Sequence, residues 1–283
     1  MADQIATRRL LIGGNQFLIG YQQQQEWAWL IATAFFLGKV GGGLFMISFF
    51  TDFKLGALVG VLLVGVGKTT AHLLYLGRPE RFLRAVWKWK TSWISRGILA
   101  MIAFCILGSL YVADYVHVTF VPHGARHGLG IAAVVFAFVL MFYDGFVLRA
   151  SKGIPLWDTY LMPVLMLFYA TLGGIAGTLA LEVLDGSATT HSLEWLGIAL
   201  LAVNGVLLGF FLFESRLRHA ASELAVTLLT RDRLAALFVA AVAVGIGGTL
   251  VLAAVSLGTH DRVVLPIASV SDSLGQFFLF FAI

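Results

Sequence analysis

Three ionisable side chains interrupt long apolar stretches of the sequence and are the residues most able to do chemistry there. Lys39 and Lys68 stand in glycine-rich stretches near the amino terminus, and Asp272 stands near the carboxyl terminus. A lysine or aspartate at the centre of a membrane costs about 2.5–3.5 kcal/mol on insertion scales, so each must face protein or water and find a partner. We expect Lys39 to pair with Asp272, or Lys68 with Asp144. Either pair would serve equally as a structural link or as a step in a proton path.

The sequence excludes several kinds of redox and nucleotide site. The single cysteine, Cys105, rules out an iron–sulfur cluster or a thiolate zinc site held by this chain alone. The histidines stand mostly at or beyond predicted helix ends, and no haem is expected, although His72 and His219 could meet near one membrane surface. No Walker or Rossmann glycine pattern follows a predicted strand. Any metal centre that serves a redox reaction must then belong to partner subunits.

The composition is typical of an all-α membrane protein. Of the 283 residues, 59% are hydrophobic and 12% are charged, whereas soluble domains carry about a quarter charged residues. Stretches of roughly 20 apolar residues predict eight spans in one membrane domain, residues 27–283, after a soluble tail of residues 1–26. The predicted spans are residues 27–50, 56–76, 94–113, 128–149, 160–183, 193–213, 234–257 and 264–283. The eighth span is rich in polar groups and is expected to be shielded by protein.

Lysines and arginines are distributed unevenly between the two ends of the predicted helices. We call the side that holds both termini side A and the opposite side B. Side A carries fourteen of the 19 lysines and arginines, and side B carries Lys54, Arg126 and Arg262. This asymmetry predicts that side A is the cytoplasmic face of a bacterial or archaeal inner membrane. An acidic partner docked on side A would explain the asymmetry equally well. The pI of 9.3 does not require a nucleic-acid partner, because the basic residues stand at the membrane-facing ends of the helices, where lipid headgroups and membrane topology explain them.

The connection after the second predicted span has the most informative sequence. Gly77 and Pro79 are expected to end the helix. The residues that follow, up to Gly97, alternate bulky apolar groups with cations, as in a short interfacial helix with tryptophans at headgroup level. On physical grounds alone, this segment is a topology-setting loop with an aromatic belt.

The same connection resembles the signature of a known family. Residues 76–82 (Leu-Gly-Arg-Pro-Glu-Arg-Phe) and 91–97 (Thr-Ser-Trp-Ile-Ser-Arg-Gly) are similar to motifs of the NrfD/DmsC membrane subunits of polysulfide, dimethyl sulfoxide and related molybdopterin oxidoreductases. Further similarities cover most of the chain: Trp27 with residues 36–45, residues 154–159 with Pro163, and residues 272–278. The last segment departs from the family, which more often has Glu and Arg where Asp272 and Gln276 stand.

The resemblance implies a fold and a place in an electron-transfer complex. It implies eight helices in two four-helix bundles, no haem, and a quinone pocket near the membrane surface beneath a ferredoxin-like iron–sulfur subunit. That subunit would exchange electrons with a molybdopterin catalytic subunit. In the dimethyl sulfoxide branch, a histidine directly before the Leu-Gly pair is tied to quinol binding. Here Tyr75 occupies that position and His72, on the same helix face, is the candidate replacement; the branch often carries Glu where Gly97 stands.

Candidate quinone ligands stand near the side-A ends of the predicted helices. A quinone site needs an apolar slot, a hydrogen-bond donor at each carbonyl and a group that gives or takes a proton. The candidates for binding menaquinone or ubiquinone are Trp27, His72, Tyr75, Arg81, Tyr143 and Asp144. For Trp27 and Tyr143, a place in the aromatic belt is the alternative interpretation.

The basic loops of side A are the expected docking surface for the iron–sulfur subunit. The docking cations are predicted to be Arg78, Arg84, Lys88, Lys90, Arg96, Arg149 and Lys152. If side A is cytoplasmic, the catalytic subunits are cytoplasmic too, and the arrangement resembles the sulfite-oxidising complexes of the family. Two other functions stay open: a proton-coupled small-solute transporter lined by Lys39, Lys68 and Asp272, and a purely structural membrane anchor.

Overall fold

The computed structural model describes residues 29–118, 121–187, 191–232, 234–259 and 263–282. These residues form helices, turns and loops, and contain no strand. We number the α-helices in chain order as α1 Trp29–Phe50, α2 Lys54–Tyr75, α3 Trp93–Val112, α4 His123–Ala150, α5 Leu161–Leu184, α6 His191–Arg218, α7 Ala220–Arg231, α8 Ala235–Thr259 and α9 Val264–Ala282. A 3₁₀ helix, Pro79–Lys88, lies between α2 and α3.

Seven of the described helices are long and apolar enough to cross a membrane, in agreement with the predicted multi-pass protein. They are all the numbered helices except α7 and α9. The predicted eighth span is helical as α9, but its apolar stretch, Val264–Leu279, is shorter than the others. Helices α4 and α6 have 28 residues each and extend beyond the predicted spans 128–149 and 193–213. The predicted soluble tail, residues 1–26, lies outside the described residues.

The connection between α2 and α3 is tied to the start of α3. The Ser92 hydroxyl accepts a hydrogen bond from the backbone amide of Ser95 at 3.3 Å, which caps an N-terminal amide of the helix. Arg96 donates from Nε to the Trp89 carbonyl at 3.0 Å and from its terminal nitrogen to the Lys90 carbonyl at 2.7 Å. The motif at residues 91–97 therefore holds the preceding loop in place.

Buried apolar side chains form two main cores. Phe45 and Phe104 belong to the first core, which is built by α1 to α4. Phe35 and Phe211 belong to the second core, in which the side-A ends of α1 and α4 pack with α5 to α9. Helix α1 thus contributes to both cores and lies where they meet.

Glycines allow close helix contacts at several places, of which two involve helices of the second half of the chain. A Cβ on Gly43 of α1 would lie 1.9 Å from the Ala170 carbonyl oxygen of α5 and 3.3 Å from Cα of Gly174. A Cβ on Gly275 of α9 would lie 2.1 Å from Cα of Gly245 of α8. Small residues let membrane helices approach until their backbones touch. Gly43 brings α1 against α5, and Gly275 brings α9 against α8.

Two helices contain a single π-helical turn, at Leu63–Lys68 in α2 and at Ala243–Gly248 in α8. A π turn disturbs the usual backbone hydrogen bonds of a helix and occurs frequently at functional sites. In α8, the Val244 carbonyl accepts a hydrogen bond from the Ser271 hydroxyl of α9 at 2.7 Å. In α2, the turn ends at Lys68, a residue of the site described next.

Candidate functional site

Two lysines and one aspartate form a buried ionic cluster between α1, α2 and α4. Nζ of Lys39 lies 3.1 Å from Oδ2 of Asp144, and Nζ of Lys68 lies 3.2 Å from the same oxygen. All three side chains have zero exposure. At 1.5 Å per residue, Asp144 lies about 9 Å from the side-A end of α4, and Lys39 about 15 Å from that of α1. We call these three residues the Lys–Asp–Lys cluster.

Gly38 and the π turn explain how two lysines reach one carboxylate. Lys68 is the last residue of the π turn, so its side chain starts from an altered helix register. It then passes over Gly38, where a Cβ would lie 2.5 Å from Nζ and 2.6 Å from Cδ of Lys68. Any side chain at position 38 would therefore push Lys68 away from the cluster.

Aromatic and imidazole rings surround the ammonium groups. The Phe35 ring centroid lies 5.1 Å from Nζ of Lys39 and 5.6 Å from Nζ of Lys68, and the Tyr143 ring lies 5.0 Å from Nζ of Lys68. Cation–π attraction of this kind compensates part of the desolvation of an ammonium group. Nδ1 of His72 is 3.2 Å from the Lys68 carbonyl oxygen, and the His72 and Phe35 ring centroids are 6.3 Å apart.

The expected pair of Lys68 with Asp144 is present, but the expected pair of Lys39 with Asp272 is wrong. Lys39 also binds Asp144, because α4 presents that carboxylate to both lysine-bearing helices. Asp272 is 3% exposed and accepts a hydrogen bond from Nε2 of Gln276 at 2.6 Å. Within the described ranges, Asp272 forms no ion pair.

An apolar cavity of about 30 Å³ lies near side A, within the second core. It is lined by the side-A ends of α1, α4, α5 and α9 and by the loop between α4 and α5. Among its lining residues are Phe35, Trp157, Tyr169 and Leu279. Because Phe35 also contacts both lysines, a single ring separates this cavity from the Lys–Asp–Lys cluster.

The structure brings together half of the side chains predicted to bind quinone. Those that meet at the Lys–Asp–Lys cluster are His72, Tyr143 and Asp144. Tyr75 does not join them, since it lies at the end of α2 and is 37% exposed. Trp27 and the side chain of Arg81 lie outside the described residues.

The Tyr143 ring fills the space that an acidic side chain at position 97 of α3 would occupy. A Cβ on Gly97 would lie 2.0–2.6 Å from carbon atoms of the Tyr143 ring. A glutamate at position 97, as in the dimethyl sulfoxide branch, would require Tyr143 to move. The acid in this site is instead Asp144, on the neighbouring helix α4.

Sequence reasoning missed the aromatic lining of the cavity. Phe35 precedes Lys39 by one helical turn, a spacing that places both on one face and could have identified it. Trp157 stands out in the sequence only as part of the motif at residues 154–159. Nothing in the sequence connects Tyr169 to this place, because its position depends on how α5 packs against α1.

Of the seven cations predicted to dock a partner, six have exposed side chains, all except Arg149. Three of the seven also hold other groups of side A. Arg96 binds loop carbonyls, the Arg149 guanidinium lies 3.4 Å from the Tyr160 ring centroid, and Lys152 pairs with Asp158. The hydrogen bond from Lys152 lowers the pKa of Asp158 below its ordinary value. These three cations therefore organise side A itself.

Arg218 anchors the loop that carries Trp157. Its guanidinium donates to both carboxylate oxygens of Glu214, at 2.9 and 2.5 Å. It also donates to the carbonyl oxygens of Pro155, at 3.2 Å, and Asp158. The end of α6 therefore fixes the loop that closes the cavity from side A.

His219, the alternative haem ligand, has a local structural role. Its Nδ1 accepts a hydrogen bond from the Ser222 amide at 3.1 Å and caps α7. Within the described part of the chain, no group of three or more His, Cys, Asp or Glu side chains is placed to hold a metal ion.

Comparison with known proteins agrees with the resemblance drawn from the motifs. A segment of 72 residues is 36% identical to a sulfite dehydrogenase subunit of Allochromatium vinosum, and covers 23% of this chain and 22% of that protein. The family model described as polysulphide reductase, NrfD, matches residues 18–283. Because this match covers nearly the whole sequence, the chain belongs to the NrfD family, the family of a polysulphide reductase subunit.

Proposed function

We propose that this chain is the quinone-reactive membrane subunit of a multisubunit oxidoreductase. The observation that carries the proposal is the position of Phe35, whose ring lines the side-A cavity and contacts both ammonium groups of the Lys–Asp–Lys cluster. The cavity offers apolar walls, and its lining includes Trp157 and Tyr169, whose side chains carry an indole N–H and a phenol O–H. Membership of the NrfD family and the similarity to a sulfite dehydrogenase subunit support the same class of complex.

The apolar and aromatic lining of the cavity fits menaquinone or ubiquinone. The cavity volume, however, limits how a quinone can enter. A bound quinone supplies the transfer of two electrons and two protons. The cavity of about 30 Å³ is much smaller than a ligand pocket, so a ring enters only when the walls separate. Ile31 and Leu279, near helix ends, are the walls best placed to move, because the loop with Trp157 is held by Arg218.

The Lys–Asp–Lys cluster would favour negative charge at the cavity. Two lysines share one aspartate, so the three side chains together carry one positive charge when all three are ionised. Fixed positive charge in a site of low dielectric stabilises negative charge that develops nearby. His72, half-buried near the side-A end of α2, is the titratable group best placed to pass a proton between the cluster and water. The cluster then acts both as a structural link and as a step in proton transfer.

We further propose that side A docks a ferredoxin-like iron–sulfur subunit, which binds in turn to a molybdopterin catalytic subunit. The exposed cations Arg78, Arg84, Lys88 and Lys90 support an acidic partner surface, because complementary charge guides such encounters. In this arrangement side A is cytoplasmic, both termini lie there, and no haem is needed. The relative named for sulfite dehydrogenase supports sulfite as the substrate of the catalytic partner.

Binding of a quinone analogue to two matched variants tests the proposed site. In Phe35→Leu we expect affinity to fall about tenfold, because an aromatic wall is lost beside the ammonium groups. Phe138→Leu makes the same change at a side chain that is 45% exposed and distant from the cavity, and should bind as the wild type does. Equal affinity of the two variants would place the quinone elsewhere, and no binding to the wild type would favour a purely structural anchor.

Isolation of the native assembly in mild detergent tests the proposed partners. Purification through a tag on this chain should recover iron and molybdenum, measured by metal analysis. Recovery of this polypeptide alone, without either metal, would favour the transporter instead.

A further inference from the structure

A second cavity, of about 60 Å³, lies between α5, α6, α8 and α9. Its walls are mostly aliphatic, but they include Glu194, Thr249 and Asp272. Glu194 is in the first turn of α6, and Leu265, another wall, is in the first turn of α9. The cavity therefore reaches the side-B ends of these helices. Asp272 lies deeper along α9, about 12 Å from its start at 1.5 Å per residue.

The polar groups around this cavity are buried and incompletely hydrogen-bonded. Asp272 and Glu194 are 3% and 7% exposed. Within the described residues, Oγ1 of Thr249 has no solvent contact and no hydrogen-bond partner. Among the same residues, Oε1 of Gln276 also has no solvent contact and no hydrogen-bond partner. The residue as a whole is 3% exposed, and its Nε2 binds Asp272. A cavity of this volume with several polar partners has room for a few water molecules.

Within the described ranges, no lysine, arginine or histidine forms an ion pair with Asp272, and the only hydrogen bond shown to its carboxylate comes from Gln276. Helix α8 contains no ionisable residue. Helix α5 contributes Tyr169, close enough to interact electrostatically with Asp272, and Glu182 near side B. Helix α6 contributes Glu194 at the mouth, where it pairs with His191 at 3.4 Å, while its arginines bind Thr230 and Glu214 at the side-A end. The lysine of α1, Lys39, binds Asp144. The cations of these helices are thus engaged with other groups.

We propose that Asp272 binds a proton and exchanges it with side B through water in this cavity. An ionised carboxylate without a counter-ion is strongly disfavoured inside a membrane, and a proton neutralises it without requiring more space. Oδ2 of Asp272 accepts the Gln276 amide, so the proton passes from a cavity water to Oδ1 and returns by the same route. The Thr249 hydroxyl, which can accept one hydrogen bond and donate another, links this water to the carboxyl group. Quinone binding is not required for this proposal, because the proton route uses no residue of the side-A cavity or the Lys–Asp–Lys cluster. Tyr169, which lines the side-A cavity, lies near Asp272 but is not part of the route.

Infrared spectroscopy of the full-length chain with its partners in lipid vesicles tests proton binding. The wild type should show the C=O band of a protonated carboxylic acid, which shifts in D₂O, and Asp272→Asn should lack that band. Thr249→Val should keep the band but slow its shift in D₂O about tenfold, because the hydroxyl link is removed. Thr171→Val is the matched control, since the Thr171 hydroxyl bonds the Leu167 carbonyl of its own helix. A full band in Asp272→Asn, or wild-type exchange in Thr249→Val, would overturn the proposal.

Thiol accessibility tests the route from side B and does not depend on the properties of the Asp272 variant. In a Cys105→Ala background, Thr249→Cys should react with Ag⁺ added from the side that exposes Glu194, and not with Ag⁺ added from the opposite side. Val251→Cys is the control, because this side chain is 63% exposed on the lipid-facing surface of the same helix. Reaction of Thr249→Cys from side A, or no reaction faster than that of Val251→Cys, would contradict a side-B route.

Discussion

Asp144 forms ion pairs with two lysines, and all three residues belong to helices of the first core. A buried ion pair usually contributes little net stability, because desolvation of the charges offsets their attraction. Removal of one partner, by contrast, strongly destabilises a protein, because the remaining charge is buried without an opposite charge beside it. The arrangement is therefore asymmetric: either lysine can be lost with one ion pair retained, whereas loss of the aspartate leaves two buried ammonium groups facing each other.

This asymmetry predicts the order of stabilities of two variants. Asp144→Asn should destabilise the protein by about 3–5 kcal/mol, the cost of an uncompensated buried charge. Lys39→Met should cost about 1.5–3 kcal/mol, the value of a hydrogen bond to a charged group, because Lys68 still balances Asp144. Thermal unfolding in detergent measures both. A Lys39→Met variant as unstable as Asp144→Asn would show that the carboxylate is not shared in this way.

The sequence identifies the ionisable residues of this site but not all of their partners. Lys39 and Lys68 stand out because a charge in an apolar stretch must be compensated. The partner of Lys39 was predicted wrongly, since which helix lies beside α1 at that depth is a property of the packed molecule. Phe35 could be found from its spacing to Lys39, whereas Tyr169 could not, because it comes from a helix distant in sequence.

Among the helices, seven are long and apolar enough to cross a membrane, which agrees with the predicted multi-pass protein, because the thickness of a membrane sets the length of an apolar stretch. The π turns were not predicted, since they involve a local change of hydrogen bonding within a continuous apolar sequence. Glycines were expected to allow close packing. In the structure, Gly43 packs closely against α5, and Gly245 packs closely against Gly275. Gly209 and Gly247, by contrast, have open space around them.

Alanine substitutions at two glycines test the contact of α1 with α5. Gly43→Ala should destabilise the protein by about 1–3 kcal/mol, because its Cβ would collide with the Ala170 carbonyl oxygen. Gly209→Ala, on an exposed face of α6, should be neutral or slightly stabilising, since alanine has the higher helix propensity. Unfolding midpoints of the two variants give the comparison. Equal midpoints would mean that α1 and α5 are further apart than described.

Arg218 provides a test of how the loop over the side-A cavity is held. Arg218→Lys keeps the charge but loses the planar fork that reaches Glu214 and the carbonyl of Pro155 together. We expect faster hydrogen exchange in residues 154–161. Arg216→Lys, at an exposed position of the same helix, should leave that exchange unchanged. Unaltered protection in Arg218→Lys would mean that the loop is fixed by other contacts.

In the whole molecule, polar groups are concentrated at two places in an otherwise apolar body. The Lys–Asp–Lys cluster and the side-A cavity lie toward the basic face, and the cavity around Asp272 reaches the opposite face. The sequence predicted the basic face from charge counting. It could not separate the two polar places, because the cavity around Asp272 is formed by the packing of α5, α6, α8 and α9.

The basic face predicts a charge-dependent association with partner subunits. Lys88→Glu, in the exposed connection between α2 and α3, should lower the salt concentration at which partners dissociate from the purified complex. The matched change on side B is Lys54→Glu, which should leave dissociation unchanged. Size-exclusion chromatography at increasing salt gives the measurement. The same shift in both variants would argue against docking on side A.

A photoactivatable quinone, added to the native assembly and mapped by mass spectrometry, tests the central claim most directly. The predicted result is labelling of peptides from α1 near Phe35, or from residues 157–169, with protection by unmodified quinone. Labelling confined to other helices, in an assembly that still reduces added quinone, would contradict a quinone site beside the Lys–Asp–Lys cluster.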